Sequence, residues 1–208
     1  GNDLRLEGLV RGNLAILDQE HGRLDDALAQ LKRALTCLRI VGDRPFEAHL
    51  TAYLGAVHHE RGQLDAARDA YTRALEVLSE VGDVRLEGLF LAARAAALAA
   101  CGRCGQAWND LEVAARRLAE VGDPALVAAL RAHRAQVAIA SAAGSAPELR
   151  AAIDEARRAR ADAQEHAAQS DDVRFALRLL QRAIPAELLE LGERSEWFQV
   201  PGCAVVTL

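Results

Sequence analysis

Glycine followed by aspartate recurs at Gly42-Asp43, Gly82-Asp83 and Gly122-Asp123, at a constant 40-residue interval. Asn2-Asp3 stands one interval further upstream. A second glycine series, Gly22, Gly62 and Gly102, keeps the same interval and falls midway between members of the first. Such a period marks a repeat in which each unit is one supersecondary element, too small to bury its apolar face except against its neighbours. Two glycines per unit leave two segments of roughly 18 residues, about five helical turns each. Glycine just past a helix takes the left-handed conformation that ends it. The aspartate that follows supplies a side-chain oxygen to the free N–H groups of the next helix. The triplets Ile40-Val41-Gly42, Glu80-Val81-Gly82 and Glu120-Val121-Gly122 are near copies of one such turn.

Between the turns, apolar residues return at helical spacing. The second segment of the first unit aligns Leu24, Ala27, Leu28, Leu31, Ala34, Leu35 and Leu38 on one side. The next unit repeats this with Leu64, Ala67, Tyr71, Ala74, Leu75 and Leu78, and the third with Cys104, Ala107, Leu111, Ala114, Ala115 and Leu118. These are i, i+3, i+4, i+7 series, and the small Ala positions let neighbouring helices approach closely. Ala and Leu supply most of the apolar mass, and aromatics are only 4% of the chain, which favours helices over strands.

A fourth unit opens at Asp123-Pro124, with Pro at the tolerated first helical position. It turns at Gly144-Ser145-Ala146-Pro147 and continues from about Glu148 to Ala168 with Ala152 and Ala159 in phase. This second helix carries Arg157, Arg158, Arg160, Asp162 and Glu165, the polar character expected of a terminal repeat. Val173, Ala176, Leu177, Leu180 and Ile184 then mark a further helix, and Ala186 to Leu191 a short one ending at Gly192. Trp197-Phe198-Gln199-Val200 and Ala204-Val205-Val206-Thr207-Leu208, around Pro201-Gly202, read as two strands. The expected architecture is therefore all-α: a helix-pair array over 1–168, capping helices over 169–192, and a β-hairpin or extended tail over 193–208. The lack of any Met, with the abrupt end, implies a piece of a longer protein.

The pattern resembles the tetratricopeptide repeat (TPR) family. Leu54-Gly55 stands where that family has its Leu-Gly pair, and Ala67, Tyr71 and Ala74 match its small–aromatic–small series. Leu14-Ala15 with Ala27, Leu31 and Ala34, and Ala95 with Ala107, Leu111 and Ala114, are the equivalents in the first and third units. The units exceed the family's usual length of about 34 residues. Ser79 replaces the helix-ending Pro. Such long units are similar to those of bacterial signalling and transcription-regulator proteins, and the tail resembles the strand pair that opens a C-terminal domain in some of them. The resemblance implies a right-handed superhelix whose first helices line a concave face. That face would carry Asn13, Ile16 and Gln19; His49, Tyr53, Ala56 and His59; Leu89, Ala93, Ala96 and Ala100; and His133, Gln136 and Ile139. Arg94 and Arg134 replace Leu14 and Leu54. They read either as donors for a partner's carboxylates or as stems in the core with heads in water. The expected partner is a protein or peptide, held at Asn13, His49, Tyr53, His59, Arg94, His133, Arg134 and Gln136. The alternative is a self-associating segment in which the hairpin or the polar fourth repeat mediates a homodimer, with Trp197 and Phe198 as a competing contact.

Catalytic chemistry is not expected. Cys101-Gly102-Arg103-Cys104 lacks the βαβ setting of a redox motif and the further ligands of a zinc site, so it reads as core filling and a helix end. His58 and His59 are adjacent, and adjacent side chains on a helix diverge by about 100°; His58 reads as the packing residue. No phosphate-binding or nucleophile-elbow motif occurs. The carboxylates read as exposed, paired with Arg along their own helices. With a net charge of −5 and no basic stripe, nucleic-acid binding by this segment is not expected. No cofactor, metal or membrane contact is expected, and four cysteines with no apolar leader fit a reducing cytoplasm.

Overall fold

A computed structural model describes residues 2–142, 145–168 and 170–183. Among them the regular structure is entirely helical: α1 (Asn2–Glu20), α2 (Leu24–Val41), α3 (Arg44–Glu60), α4 (Leu64–Val81), α5 (Val84–Ala100), α6 (Cys104–Val121), α7 (Pro124–Ser141), α8 (Ala146–His166) and α9 (Asp171–Ala183). The first eight pack as four consecutive pairs, and α2, α4 and α6 each rest on the first helix of the next pair. No helix is long and apolar enough to cross a membrane, among the described residues.

The turns form as the glycine spacing predicts. Gly22, Gly42, Gly62, Gly82, Gly102 and Gly122 all have φ between 70° and 76°. Around five of them the next residue's N–H reaches back five positions, as in Asp83 N–H to Leu78 O at 3.0 Å and Gln63 N–H to His58 O at 2.9 Å. This bond satisfies a carbonyl that a helix end otherwise leaves unpaired. Asp43, Asp83 and Asp123 cap the helices that follow, accepting from the N–H groups of Phe46, Leu86 and Ala125.

Ala27, Leu31 and Ala34 are buried in the first unit, Ala67, Tyr71 and Ala74 in the second, and Ala107, Leu111 and Ala114 in the third. Tyr71 is fully enclosed beneath Gly55, where an added Cβ would lie 2.8 Å from its ring. Glycine there lets the ring of α4 lie flat on the backbone of α3. Ala-rich faces likewise bring α5 directly onto α7.

Two features go beyond the expectations. The ninth helix, expected as a cap, packs on α7 and α8 and reaches back to α1. Its buried residues are Val173, Phe175, Ala176, Leu179 and Leu180, a wider arc than one apolar stripe, because it is covered from several sides. The carboxylates also depart from expectation: Asp18, Glu60, Glu87 and Asp172 are buried, and each pairs with an arginine. For Glu60, Glu87 and Asp172 that arginine comes from another helix. The 186–191 helix, the hairpin, Trp197, Phe198 and Cys203 lie outside the described residues.

Gly82→Val is expected to cost roughly 1 kcal/mol or more through backbone strain alone, since a Cβ there meets nothing within 4 Å. Gly55→Val, which must displace Tyr71, is expected to cost more, about 1–3 kcal/mol from overpacking on top of any propensity gain. Urea denaturation of the two variants ranks them; the reverse order contradicts the assigned roles.

Candidate functional site on the inner face

The first helices of the pairs present equivalent positions at the 40-residue interval. Asn13, Tyr53, Ala93 and His133 form one row, Gln19, His59, Ala99 and Ile139 another, and Ile16, Ala56, Ala96 and Gln136 a third. The helix α9 lies on this face. Small residues make the room: Ala56, Ala93, Ala96 and Ala132 are all buried.

Each side of α9 meets a matching chemistry. The Tyr53 hydroxyl donates to Asp172 Oδ1 at 2.9 Å, and Arg85 reaches the other Asp172 oxygen at 3.4 Å. Phe175 sits between His59 and His133, with ring centroids 6.4 and 5.9 Å away. Gln136 Nε2 donates to the Ala176 carbonyl at 3.3 Å. Arg174, Arg178 and Arg182 recur at every fourth position, so they line one edge of the helix. Opposite them stand Glu20 and Glu60, one repeat interval apart, at the ends of α1 and α3. Arg174 pairs with Glu20 at 2.6 Å and Arg178 with Glu60 at 3.0 Å, and Arg182 donates to the Glu60 carbonyl at 2.7 Å. Gln19 adds a bond to Glu60 Oε1 at 2.8 Å. The Glu60 side chain is only 1% exposed, so these partners are what keep a buried carboxylate satisfied.

The residues named from sequence divide into three groups. Tyr53, His59, His133 and Gln136 converge on α9. His49 lies beside them, edge-on to Tyr53 at 5.1 Å, and Asn13 keeps the same row on α1 but is exposed. Arg94 and Arg134 point the other way. Arg94 grips Asp110 of α6 through two bonds of 2.7 and 2.9 Å and reaches Thr72 of α4. Arg134 pairs with Glu155 of α8 at 3.0 Å and covers the Trp108 ring. Both replace leucines at a position facing the second helices, where a carboxylate within the chain takes the place of an apolar contact. The paired histidines also exchange roles: His59 is buried, whereas His58 is partly exposed and meets Gln63. Sequence reasoning missed Glu20, Glu60, Asp172 and the three arginines of α9, although the repeat-interval recurrence of the first two and the every-fourth-position recurrence of the last three were visible.

Burial shapes the titration of this face. It holds His59 down to about 4, with Arg182 adding to the effect, and His133 down to about 3, with His59 adding to it. Burial and then Asp172 raise the Tyr53 phenol well above 10. Asp172 is itself raised by burial, against the pull of Tyr53 and Arg85. Cys101 and Cys104 flank the α5–α6 turn, and among the described residues no group of three His, Cys, Asp or Glu side chains is placed to hold a metal ion.

A chain of stacked helix pairs whose first helices share a common face is a helical-repeat array. Residues 5–80, spanning α1 to nearly the end of α4, match the tetratricopeptide repeat family. No curated protein matches the chain. The family is a non-catalytic repeat that generally mediates protein–protein interactions.

His59 and His133 take up protons readily only when the chain unfolds and their burial is lost. Their folded pKa values lie below the ordinary 6.5, so stability is full above that value and falls as pH drops towards about 4 and about 3. The slope is roughly 1.4 kcal/mol per pH unit for each histidine once the unfolded form is protonated. Asp172 contributes with the opposite sign, so the check is a difference. Between pH 6.5 and 5 the Tm of the parent is expected to fall more steeply than that of His133→Leu, in which His59 and the likewise lowered His49 remain. Equal slopes contradict the assignment.

Proposed function

We propose that the chain is a protein- or peptide-interaction module, the sensor or scaffold segment of a larger bacterial regulatory protein. The observation that carries this is the seating of α9: the inner face accommodates an amphipathic helix through aromatic, hydrogen-bonding and ionic contacts together. Helix-in-groove recognition uses this combination, with anchors on successive turns. The family match over residues 5–80 supports interaction as the activity, and the long units support the regulatory setting. The partner's contacts are assigned to Tyr53, His59, His133 and Gln136, with Asn13 and His49 at the margin. Arg94 and Arg134 are assigned to holding the helix pairs together.

The test is selection from a displayed library of helical peptides. Binders are expected whose affinity drops ~30-fold for Tyr53→Ala or His133→Ala, corresponding to about 2 kcal/mol per anchor. Failure to select any binder, or binders indifferent to both changes, would count against the inner face.

The alternative, a self-associating segment, is favoured by a different surface. Leu6, Val10, Leu14 and Leu17 on α1 are between 41% and 62% exposed. One period later, Leu50 and Val57 occupy the places of Val10 and Leu17 and are buried against the preceding pair. The α1 stripe thus continues the stacking interface, and a second copy is the occupant in this reading. It requires a dimer at tens of micromolar by sedimentation that Val10→Glu with Leu17→Glu dissolves; a monomer at that concentration removes it.

A further inference from the structure

The buried polar groups of this protein are unevenly satisfied. Among the described residues, five side-chain polar atoms are buried without a hydrogen-bond partner: His59 Nδ1, Tyr71 Oη, Arg117 Nε, His133 Nε2 and Arg178 Nε. Arg117 belongs to the α5–α6 pair. Tyr71 is enclosed between α3, α4 and α5, and the other three lie where α9 packs. His59 and His133 face Phe175, Tyr71 lies edge-on to His59 at 6.5 Å, and Arg178 is on α9 itself. Buried polar groups are nearly always paired in native interiors, and each exception weakens the contact that encloses it. The repeat stack holds two of these atoms, at Tyr71 and Arg117, and the α9 interface holds the other three. The charge complementarity around it is nevertheless specific, since Glu20 and Glu60 have little use without cations brought by a helix.

From this juxtaposition we propose that the inner face is a receptor for an amphipathic helix of another protein, one carrying an aromatic residue followed by arginines three and seven positions later, and that α9 occupies the receptor until such a helix displaces it. The inference rests on the interaction reading and names its ligand and its gate. The spacing is that of Phe175, Arg178 and Arg182. The aromatic fills the slot between His59 and His133, and the arginines meet Glu60. A displacing helix with a hydroxyl or carboxamide beside its aromatic residue also pairs the ring nitrogens that α9 leaves unpartnered. Stack and gate differ in stability: α9 opens locally while the helix pairs stay folded, as expected for an interface that encloses three of the five unpartnered atoms.

Two measurements on the full chain decide the matter. The first is hydrogen exchange of the unaltered protein. Amides of α9 are expected to be protected at least ~100-fold less than those of α5; equal protection makes α9 a permanent part of the core and overturns the proposal. The second uses a fluorescent peptide of residues 170–183 and the full-length variant Arg178→Glu, whose own α9 is repelled by Glu60. The peptide is expected to bind this variant at least ~10-fold more tightly than the parent. It is expected to lose binding when its own phenylalanine or its two later arginines are replaced by alanine. Adding Glu60→Lys to the variant re-pairs its own α9 and is expected to close the site again. A folded Arg178→Glu chain that takes no more peptide than the parent overturns the proposal, as does dimerisation by exchange of α9 in place of peptide capture. Should the variant fail to fold, the exchange experiment stands alone. Library binders that use the inner face but carry no aromatic–arginine pattern would leave the interaction reading intact and sink this one.

Discussion

A single pair of helices in this array cannot enclose its apolar residues alone; they are buried between its two helices and against the pairs on either side. The whole structure depends on how closely helices can approach within and between pairs. Ala67 and Ala74, with Gly55 opposite Tyr71, set that distance in the second unit. Ala and Leu at equivalent places set it in the first and third. Small residues at helix contacts lose little side-chain entropy and bring backbones together, so dispersion contacts accumulate over long surfaces. The left-handed glycines complete the arrangement by returning the chain after each helix at a fixed angle, with the freed carbonyl bonded five positions on.

Stacking of this kind leaves one face of the first helices uncommitted, because the second helices carry most of the neighbour contacts. Here that face bears both small residues, which create a hollow, and isolated large polar groups, which give the hollow chemical character. The result suits a helix with one aromatic and one basic edge. The fit of α9 combines charge, apolar area and several hydrogen bonds, and leaves His59 Nδ1, His133 Nε2 and Arg178 Nε unpartnered. Burying Val173, Phe175, Leu179 and Leu180 contributes roughly 1.5–3 kcal/mol for each of the larger side chains. Orphaned polar atoms cost about 1–3 kcal/mol apiece against this.

Arg94 and Arg134 illustrate how the same repeat logic misleads when applied residue by residue. Their register was legible, and so was the oddity of arginine at a leucine position. Their partners, Asp110 and Glu155, lie on second helices, and nothing in the spacing links them to the arginines. An arginine stem is long enough to turn to either side of its helix, so its direction is settled by where a carboxylate waits. The rows holding Tyr53, His59, His133 and Gln136 could be read because a helix face is fixed by period alone.

The sequence by itself determined the helix pairs, their six glycine turns, the aspartate caps, the buried Ala and Leu positions and the rows of the inner face. All of these follow from local rules: backbone conformation at glycine, capping at the first turn, and a helical period that returns in phase with each repeat. Only the tertiary structure decided that α9 folds back onto that face, that Glu20 and Glu60 meet its arginines, and that His59, not His58, is enclosed. Those contacts join residues far apart in the chain, as in Tyr53 with Asp172 and Glu60 with Arg178. Their formation depends on the assembled stack and on the desolvation it imposes, and neither is encoded within any single turn of helix.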